Sequence, residues 1–207
     1  MSWYDVFSGF YDRSLEKLYR DARAAAVEAL ALAPGMRVLD LPCGTGQSFD
    51  GIAPALGDAG RLVGGDLSRG MLKRAGKRVA RLGLGNVEVV CTDVHALTKE
   101  AIGGPIDRLH VFLGMSAFPN PDEAFERLWG VLRPGGRAVV VDVFSERLGF
   151  QGRMVNLVAR ADIRRRSWEP LERRAAPGTF TRRDLPSLKK HGGTLFLAVG
   201  DKGVSGE

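Results

Sequence analysis

The stretch RVLDLPCGTGQ, residues 37–47, decides the fold. A short apolar run ends in an acid, Asp40, and enters a turn carrying Gly44 and Gly46. A buried strand that passes through a glycine turn into a helix opens an alternating α/β chain. Upstream, apolar residues recur at helical spacing from Ser14 to Leu32, and Pro34-Gly35 stops that helix. Downstream, RLVGGD (61–66), VEVVCTD (87–93), IDRLHVFL (106–113) and RAVVVDVF (137–144) read as four further strands. Ser68 is placed to cap a helix with Met71, Leu72, Ala75, Val79 and Leu82 on its apolar face. Asn120-Pro121-Asp122-Glu123 reads as a second helix start: a cap, a proline at the first position and acids at the positive end of the dipole. Most of these strands are nearly continuous apolar runs, the pattern of strands covered on both faces by helices.

The C-terminal third is less regular. Residues 147–165 read as a basic amphipathic helix, and Ser167 as the cap of another reaching about Ala175. TFTRRDL (179–185) and TLFLAV (194–199) read as two antiparallel edge strands, with a helix through Thr181–Lys190 as the rival. There is no internal repeat, low-complexity stretch or linker, so residues 1–207 are expected to form one domain, with 1–33 as a helical lid.

Composition sets limits. The chain has 207 residues, 44% of them hydrophobic, enough for a folded core. No apolar run reaches the roughly 18–20 residues of a membrane-spanning helix. The aromatic N-terminus, with Asp5 and Asp12, is unlike a signal peptide, so a cytoplasmic protein is expected. Cys43 and Cys91 lack metal-ligand spacing and read as two reduced, buried thiols; no metal is expected. The net charge of +6 is uneven, because residues 147–190 hold twelve Lys/Arg against four Asp/Glu.

In an open α/β sheet, ligands bind beyond the carboxyl ends of the strands, where strand order reverses. Four loops there carry chemistry. Around Gly44 and Gly46 the backbone can approach a ligand closely, and Asp40 suits an ammonium group better than a diphosphate. Asp66, 20 residues after Gly46, can accept two ribose hydroxyls. Asp93 can accept from an adenine amino group, with Val94 donating its N–H. The loop Leu113-Gly114-Met115-Ser116 offers room for a second substrate. An NAD-type dehydrogenase shares the glycine turn and the later acid, but it lacks an acid before the turn and would need a hydride-transfer site that is not evident.

Together these features resemble a class I S-adenosylmethionine (SAM)-dependent methyltransferase, similar to the ubiquinone/menaquinone branch. RVLDLPCGTG resembles the first motif of that family, VGGDLS its ribose motif, CTDVHAL its adenine motif and LRPGGRAVVVDVF its strand-5 motif. The resemblance implies a Rossmann-like, mostly parallel seven-stranded sheet of order 3-2-1-4-5-7-6, with strand 7 antiparallel and helices on both faces. It implies SAM as cofactor. Asp40, Cys43, Gly44 and Gly46 fall at the methionine end, Asp66 and Leu67 at the ribose and adenine, Asp93 and Val94 at the adenine edge. The Leu113 carbonyl would hold the methionine ammonium, and Tyr11 would close over the cofactor. Two departures stand out. Pro42 replaces a family glycine, and Ser116 aligns where many relatives carry histidine.

Methyl transfer needs alignment in a dry pocket, and a base only where the nucleophile must lose a proton. No base is evident: His110 reads as a hydrogen-bonded core residue, His95 as capping or solvated, and His191 as exposed. The catalytic residue is left open. GMSAFPNP after strand 4 lacks the Pro-Pro signature of amine-base methylation, and two cysteines are too few for arsenic. A small, apolar or lipid-like acceptor is expected, near Met115, Ser116 and Phe118. No nucleic-acid partner is expected, and oligomeric state is not legible. Arg160 and Arg164–Arg166 would favour contact with an anionic membrane. A non-catalytic SAM binder, or an enzyme using SAM for another reaction, is the alternative.

Overall fold

A computed structural model describes residues 17–204. The elements alternate as the sequence requires. Helix α1 (Arg20–Ala29) precedes β1 (Arg37–Asp40), α2 (Phe49–Leu56), β2 (Arg61–Asp66), α3 (Arg69–Leu82), β3 (Val87–Cys91) and β4 (Ile106–Phe112). Then come α4 (Pro121–Val131), β5 (Leu132–Phe144), α5 (Phe150–Ala159), α6 (Glu169–Arg174), β6 (Thr181–Asp184) and β7 (Thr194–Asp201). All seven strands form one sheet of order β3-β2-β1-β4-β5-β7-β6. β1 to β5 pair in parallel, and β7 runs antiparallel between β5 and β6. This is the expected topology, and the helical rival for residues 181–190 is excluded.

Alternation along β5 shows why the strands are apolar on both faces. Val139, Val141 and Val143 join a core layer with Ala22 and Ala26 of α1, Phe49 and Ile52 of α2, and Leu72 of α3. Ala138 and Val140 join the opposite layer with Phe125 and Leu128 of α4 and Leu171 of α6. Strand order reverses between β1 and β4, so the β1 turn opens at the switch point.

Several local expectations are corrected. Asn120 takes a left-handed backbone (φ 43°) and makes no side-chain cap, so α4 starts on Pro121 and its acids alone. β5 begins at Leu132 rather than after the Pro-Gly-Gly turn, with a register shift against β4 that absorbs Gly135 at φ 71°. The basic helix is shorter than its pattern. It ends at Ala159 because Arg160 turns left-handed (φ 50°), while Asn156 Oδ1 accepts the Ile163 N–H at 3.0 Å and Ile163 enters the core. Arg164–Arg166 therefore lie outside it. Ser167 does not cap α6: its hydroxyl is directed at the Arg165 carbonyl, and Trp168 holds the cap position. Cys91 is exposed on the edge strand, whereas Cys43 is buried. His191 is buried too. It stacks on Tyr19 at 5.0 Å and its Nδ1 accepts the Leu188 N–H, and burial lowers its pKa.

β6 ends the sheet, and all four of its residues, TRRD, are exposed. Arg182 lies 4.2 Å over the Trp168 ring and pairs with Asp184. No helix among the described residues is long and apolar enough to cross a membrane.

Candidate active site at the carboxyl ends of the strands

Three carboxylates shape the loops at this end of the sheet. The first is Asp40, the last residue of β1 and 1% exposed. His110 Nδ1 of the neighbouring β4 lies 2.7 Å from Asp40 Oδ1. A carboxylate oxygen only accepts, so Nδ1 carries the proton of that bond. Asp40 Oδ2 and His110 Nε2 are buried with no partner among the described residues. An unsatisfied buried acceptor is costly, and it marks the place where a cationic ligand group gains most.

The second carboxylate is Asp66, at the end of β2. Its Oδ2 accepts the Gly44 N–H at 2.9 Å and its Oδ1 the Ser68 N–H at 2.8 Å. Burial pushes its carboxyl above the ordinary 3.8, and the backbone N–H groups of Ser68 and Gly44 pull the other way. Asp66 thus ties the β1 turn to the start of α3, where Ser68 Oγ accepts the Met71 N–H. Two lone-pair sites remain on the carboxylate for a ribose. Beside it Leu67 is 69% exposed, an apolar surface at a strand end.

The glycine turn is largely satisfied within itself. Cys43 N–H donates to Gly65 O at 2.8 Å and Gly46 N–H to Cys43 O at 2.9 Å. Gly44 (φ 55°) and Gly46 (φ 76°) need glycine for their backbone conformation. A Cβ at Gly46 would lie 2.6 Å from the Phe49 ring, and one at Gly64 2.4 Å from it, so Phe49 fills the floor under the turn. Pro42 has its counterpart in Gly114, where a Cβ would come within 2.2 Å of the proline Cδ. The Cys43 thiol is pushed up by burial, with Asp40 and Asp66 adding to the effect, and stays protonated.

Asp93 follows β3 and is exposed; its Oδ1 accepts the His95 N–H at 2.9 Å and caps the turn Val94–Ala96. Val94 itself is buried. Leu113 leaves β4 with a left-handed backbone, φ 56°, and donates its N–H to Val141 O at 2.7 Å. Asp40, Gly44, Gly46, Asp66, Leu67, Asp93 and Leu113 all lie in loops at the same end of adjacent strands. Tyr11 falls outside the described residues. Two open clefts, of about 450 and 360 Å³, lie elsewhere: one between α5 and residues 187–193, the other between α1 and the β6–β7 edge.

The third carboxylate, Asp142 of β5, went unnoticed in the sequence. Its Oδ2 accepts the Ser116 N–H, and its Oδ1 accepts both the Ser116 hydroxyl and the Val143 N–H, each at 2.8 Å. The signal was there: an acid inside VVVDVF, an otherwise apolar strand, must be partnered or costly. This pinning alters the acceptor expectation. Met115 is fully buried in the core and Ser116 is 3% exposed, so neither lines an open cavity; of the three expected residues, Phe118 alone is half-buried.

The domain match agrees with this geometry. Residues 38–136 match a family described as a methyltransferase domain. The chain is 30% identical, over 140 residues and 67% of its length, to the ubiquinone/menaquinone biosynthesis C-methyltransferase UbiE of Hydrogenovibrio crunogenus, of which it covers 53%. It thus spans about half the length of the UbiE relatives it matches. Among solved structures, geranyl diphosphate methyltransferase in complex with GPP and sinefungin superposes with a TM-score of 0.74 at 17% identity, covering 90% of this chain and 78% of that one. The [4+2]-cyclase SpnF superposes at 0.71 with 19% identity, covering 89% and 81%. At such identities the likeness is one of fold. The chain has the fold of the class I methyltransferases, and residues 38–136 are similar to the methyltransferase domain.

Burial raises the Asp142 carboxyl from 3.8 to about 6. The folded protein therefore holds this proton where the unfolded chain has released it. The stability from that group is full below about pH 4 and lost as pH rises through about 6. At about 1.4 kcal/mol per pH unit the change is on the order of 3 kcal/mol. Urea unfolding of wild type and Asp142→Asn at pH 4 and pH 7 should show their stability difference moving against wild type by that amount. A pH-independent difference would refute the assignment.

Proposed function

We propose that this protein is a SAM-dependent methyltransferase acting on a small, apolar or lipid-like acceptor in the cytoplasm. One observation carries the cofactor assignment: the buried, unpartnered Asp40 Oδ2 at the base of a two-glycine turn. It fits the methionine ammonium of SAM. Asp66 and Leu67 would hold the ribose and one adenine face, Asp93 and Val94 the adenine edge, and the Leu113 carbonyl would join Asp40 at the ammonium. When bound, SAM supplies a methyl carbon already made electrophilic by its sulfonium. The protein's own task is to orient the partners and exclude water. His110 fixes the Asp40 carboxylate, and Asp142 fixes the loop from Leu113 to Phe118, so the two sides of the site are held by independent bonds.

The acceptor reading rests on Phe118 and on Phe144 and Trp168, which meet edge to face at 5.0 Å and are half-buried near the ends of β4 and β5. One relative is named for ubiquinone/menaquinone biosynthesis and one structural neighbour holds GPP, both lipid-like chemistries. This reading gives nucleic acid no part and allows contact with an anionic membrane that holds the acceptor. A second reading, SAM binding in the service of another reaction, has one observation in its favour: a neighbour of the same fold is named a cyclase. Incubation with methyl-labelled SAM and a cell extract separates them, because only the first reading yields a labelled product.

Two substitutions test the residues. Asp40→Asn keeps an oxygen for His110 and replaces the orphaned one with an amide. SAM affinity, measured by calorimetric titration, should fall at least tenfold, about 1.4 kcal/mol, with little loss of stability without ligand. Unchanged affinity would remove Asp40 from the site.

Asp66→Ala removes a ribose acceptor and the clasp on Gly44 and Ser68 together. SAM affinity should again fall at least tenfold. Urea unfolding should also show a loss of about 1–3 kcal/mol, the scale for leaving a buried donor unpaired. Both effects are expected together, because the same carboxylate would serve the ribose and holds the Gly44 and Ser68 N–H groups. Lost stability with unchanged affinity would leave Asp66 a purely structural residue.

A further inference from the structure

The basic surplus of residues 147–190 divides into two populations. Arg164 and Arg165 face Asp162, Arg166 faces Glu169, Arg173 and Arg174 reach Asp122 and Glu126 on α4, and Arg182 pairs with Asp184. Each of these cations faces an acidic partner on the protein surface. Arg147, Arg153, Arg160, Lys189 and Lys190 are exposed and face no carboxylate among the described residues, and the same holds of Arg183, which lies apart from them on β6. From Arg147 to Ala161 and from Leu185 to Gly200 the chain has no acidic residue. Glu146 and Asp162 bracket the first run, and Asp162 is already held by Arg164.

Five of the unpaired cations lie on or next to α5 and the facing loop, the segments that also carry an apolar stripe. On α5, Gly152 and Val155 face the protein: Gly152 is buried against Gly192 and Ile163, and Val155 packs on the core. The opposite face presents Phe150, Met154 and Leu157 at i, i+4 and i+7, with exposures of 76%, 40% and 72%. Leu188, 60% exposed, adds to it from across the open cleft that Phe150 and Lys189 also line. Single exposed apolar residues are ordinary, but four on α5 and the facing loop, in segments that carry unpaired cations and no acid, are not.

We propose that this surface is a docking site for an anionic lipid bilayer, with Phe150, Met154, Leu157 and Leu188 entering the headgroup boundary and the five cations meeting lipid phosphates. The chemistry favours a bilayer because apolar insertion and cationic attraction act on the same face. It also relocates the membrane contact expected from sequence: Arg160 stays in it, and Arg164–Arg166 leave it because each already faces Asp162 or Glu169. The surface is independent of the SAM site and is tested without cofactor or acceptor.

The test is cosedimentation of the full chain with vesicles of phosphatidylcholine alone and of phosphatidylcholine with phosphatidylglycerol at about 3:1. Binding should require the anionic lipid and weaken at high salt. Phe150→Asn with Leu157→Asn should lower the apparent affinity at least tenfold, and so should Arg153→Glu with Lys189→Glu. Arg173→Glu with Arg174→Glu changes net charge equally, but on paired arginines, and should leave binding near wild type. All four substitution sites in the test patch are exposed, and the unfolding midpoint of each variant confirms the fold. Four outcomes overturn the proposal. One is no binding by the full chain. A second is equal loss in the paired-arginine variant, which reduces the effect to net charge. The third is a dimer abolished by Leu157→Asn, and the fourth is tighter binding of an RNA homopolymer through the same cations.

Discussion

The Asp66 carboxylate is the constraint on which the site depends. Parallel pairing of β1 and β2 ends at Asp40 opposite Gly64, and beyond it one backbone bond, Cys43 N–H to Gly65 O, joins the β1 turn to β2. The Asp66 side chain adds the link to the start of α3, through the Gly44 and Ser68 N–H groups. Without it the glycine turn, whose own hydrogen bonds close only upon itself and Gly65, would have little to fix it against the start of α3. Asp40 and Asp142 repeat the device along the sheet. One joins β1 to β4 through His110, and the other joins β5 to the loop after β4. The sheet interior is apolar, and its buried acids stand at the carboxyl ends of the strands, each fixing a neighbouring element.

These bonds also divide the roles of the carboxylates. Both Asp142 oxygens accept hydrogen bonds, and the group keeps a loop in place. Asp40 has one oxygen satisfied and one unsatisfied, and so retains capacity for a ligand. Asp66 lies between, with both oxygens engaged once. A carboxylate that is fully engaged without ligand supports structure; one left half-engaged in the interior is held ready for something else.

The strands and their order were legible because periodicity and glycine turns are local signals. β1 to β5 announced themselves as apolar runs, and the ordered acids at the ends of β1 and β2 and after β3 pointed to the loops of the candidate site. What escaped was decided by tertiary contact. Nothing local says that Asn156 and the burial of Ile163 end α5 at Ala159, leaving Arg164–Arg166 in a loop. His191 sits in a Lys-Lys-His-Gly-Gly run that reads as exposed, yet its ring packs on Tyr19, more than 170 positions away in the chain. Asn120 has the composition of a helix cap and the backbone of a left-handed turn. Met115 and Ser116 have the right place in the sequence for an acceptor loop, and the Asp142 bonds draw them inward.

β6 has a consequence beyond the site. An outermost strand offers a row of backbone groups that another extended chain can join, and a sheet left open at that side invites association between copies. Here the strand is four residues long and every side chain on it is charged or hydroxylated. Arg182 lies across Trp168 and Phe196, and so masks aromatic surface that would otherwise be sticky. Shortness, charge and the stacked guanidinium together make this border a poor template for a neighbouring strand.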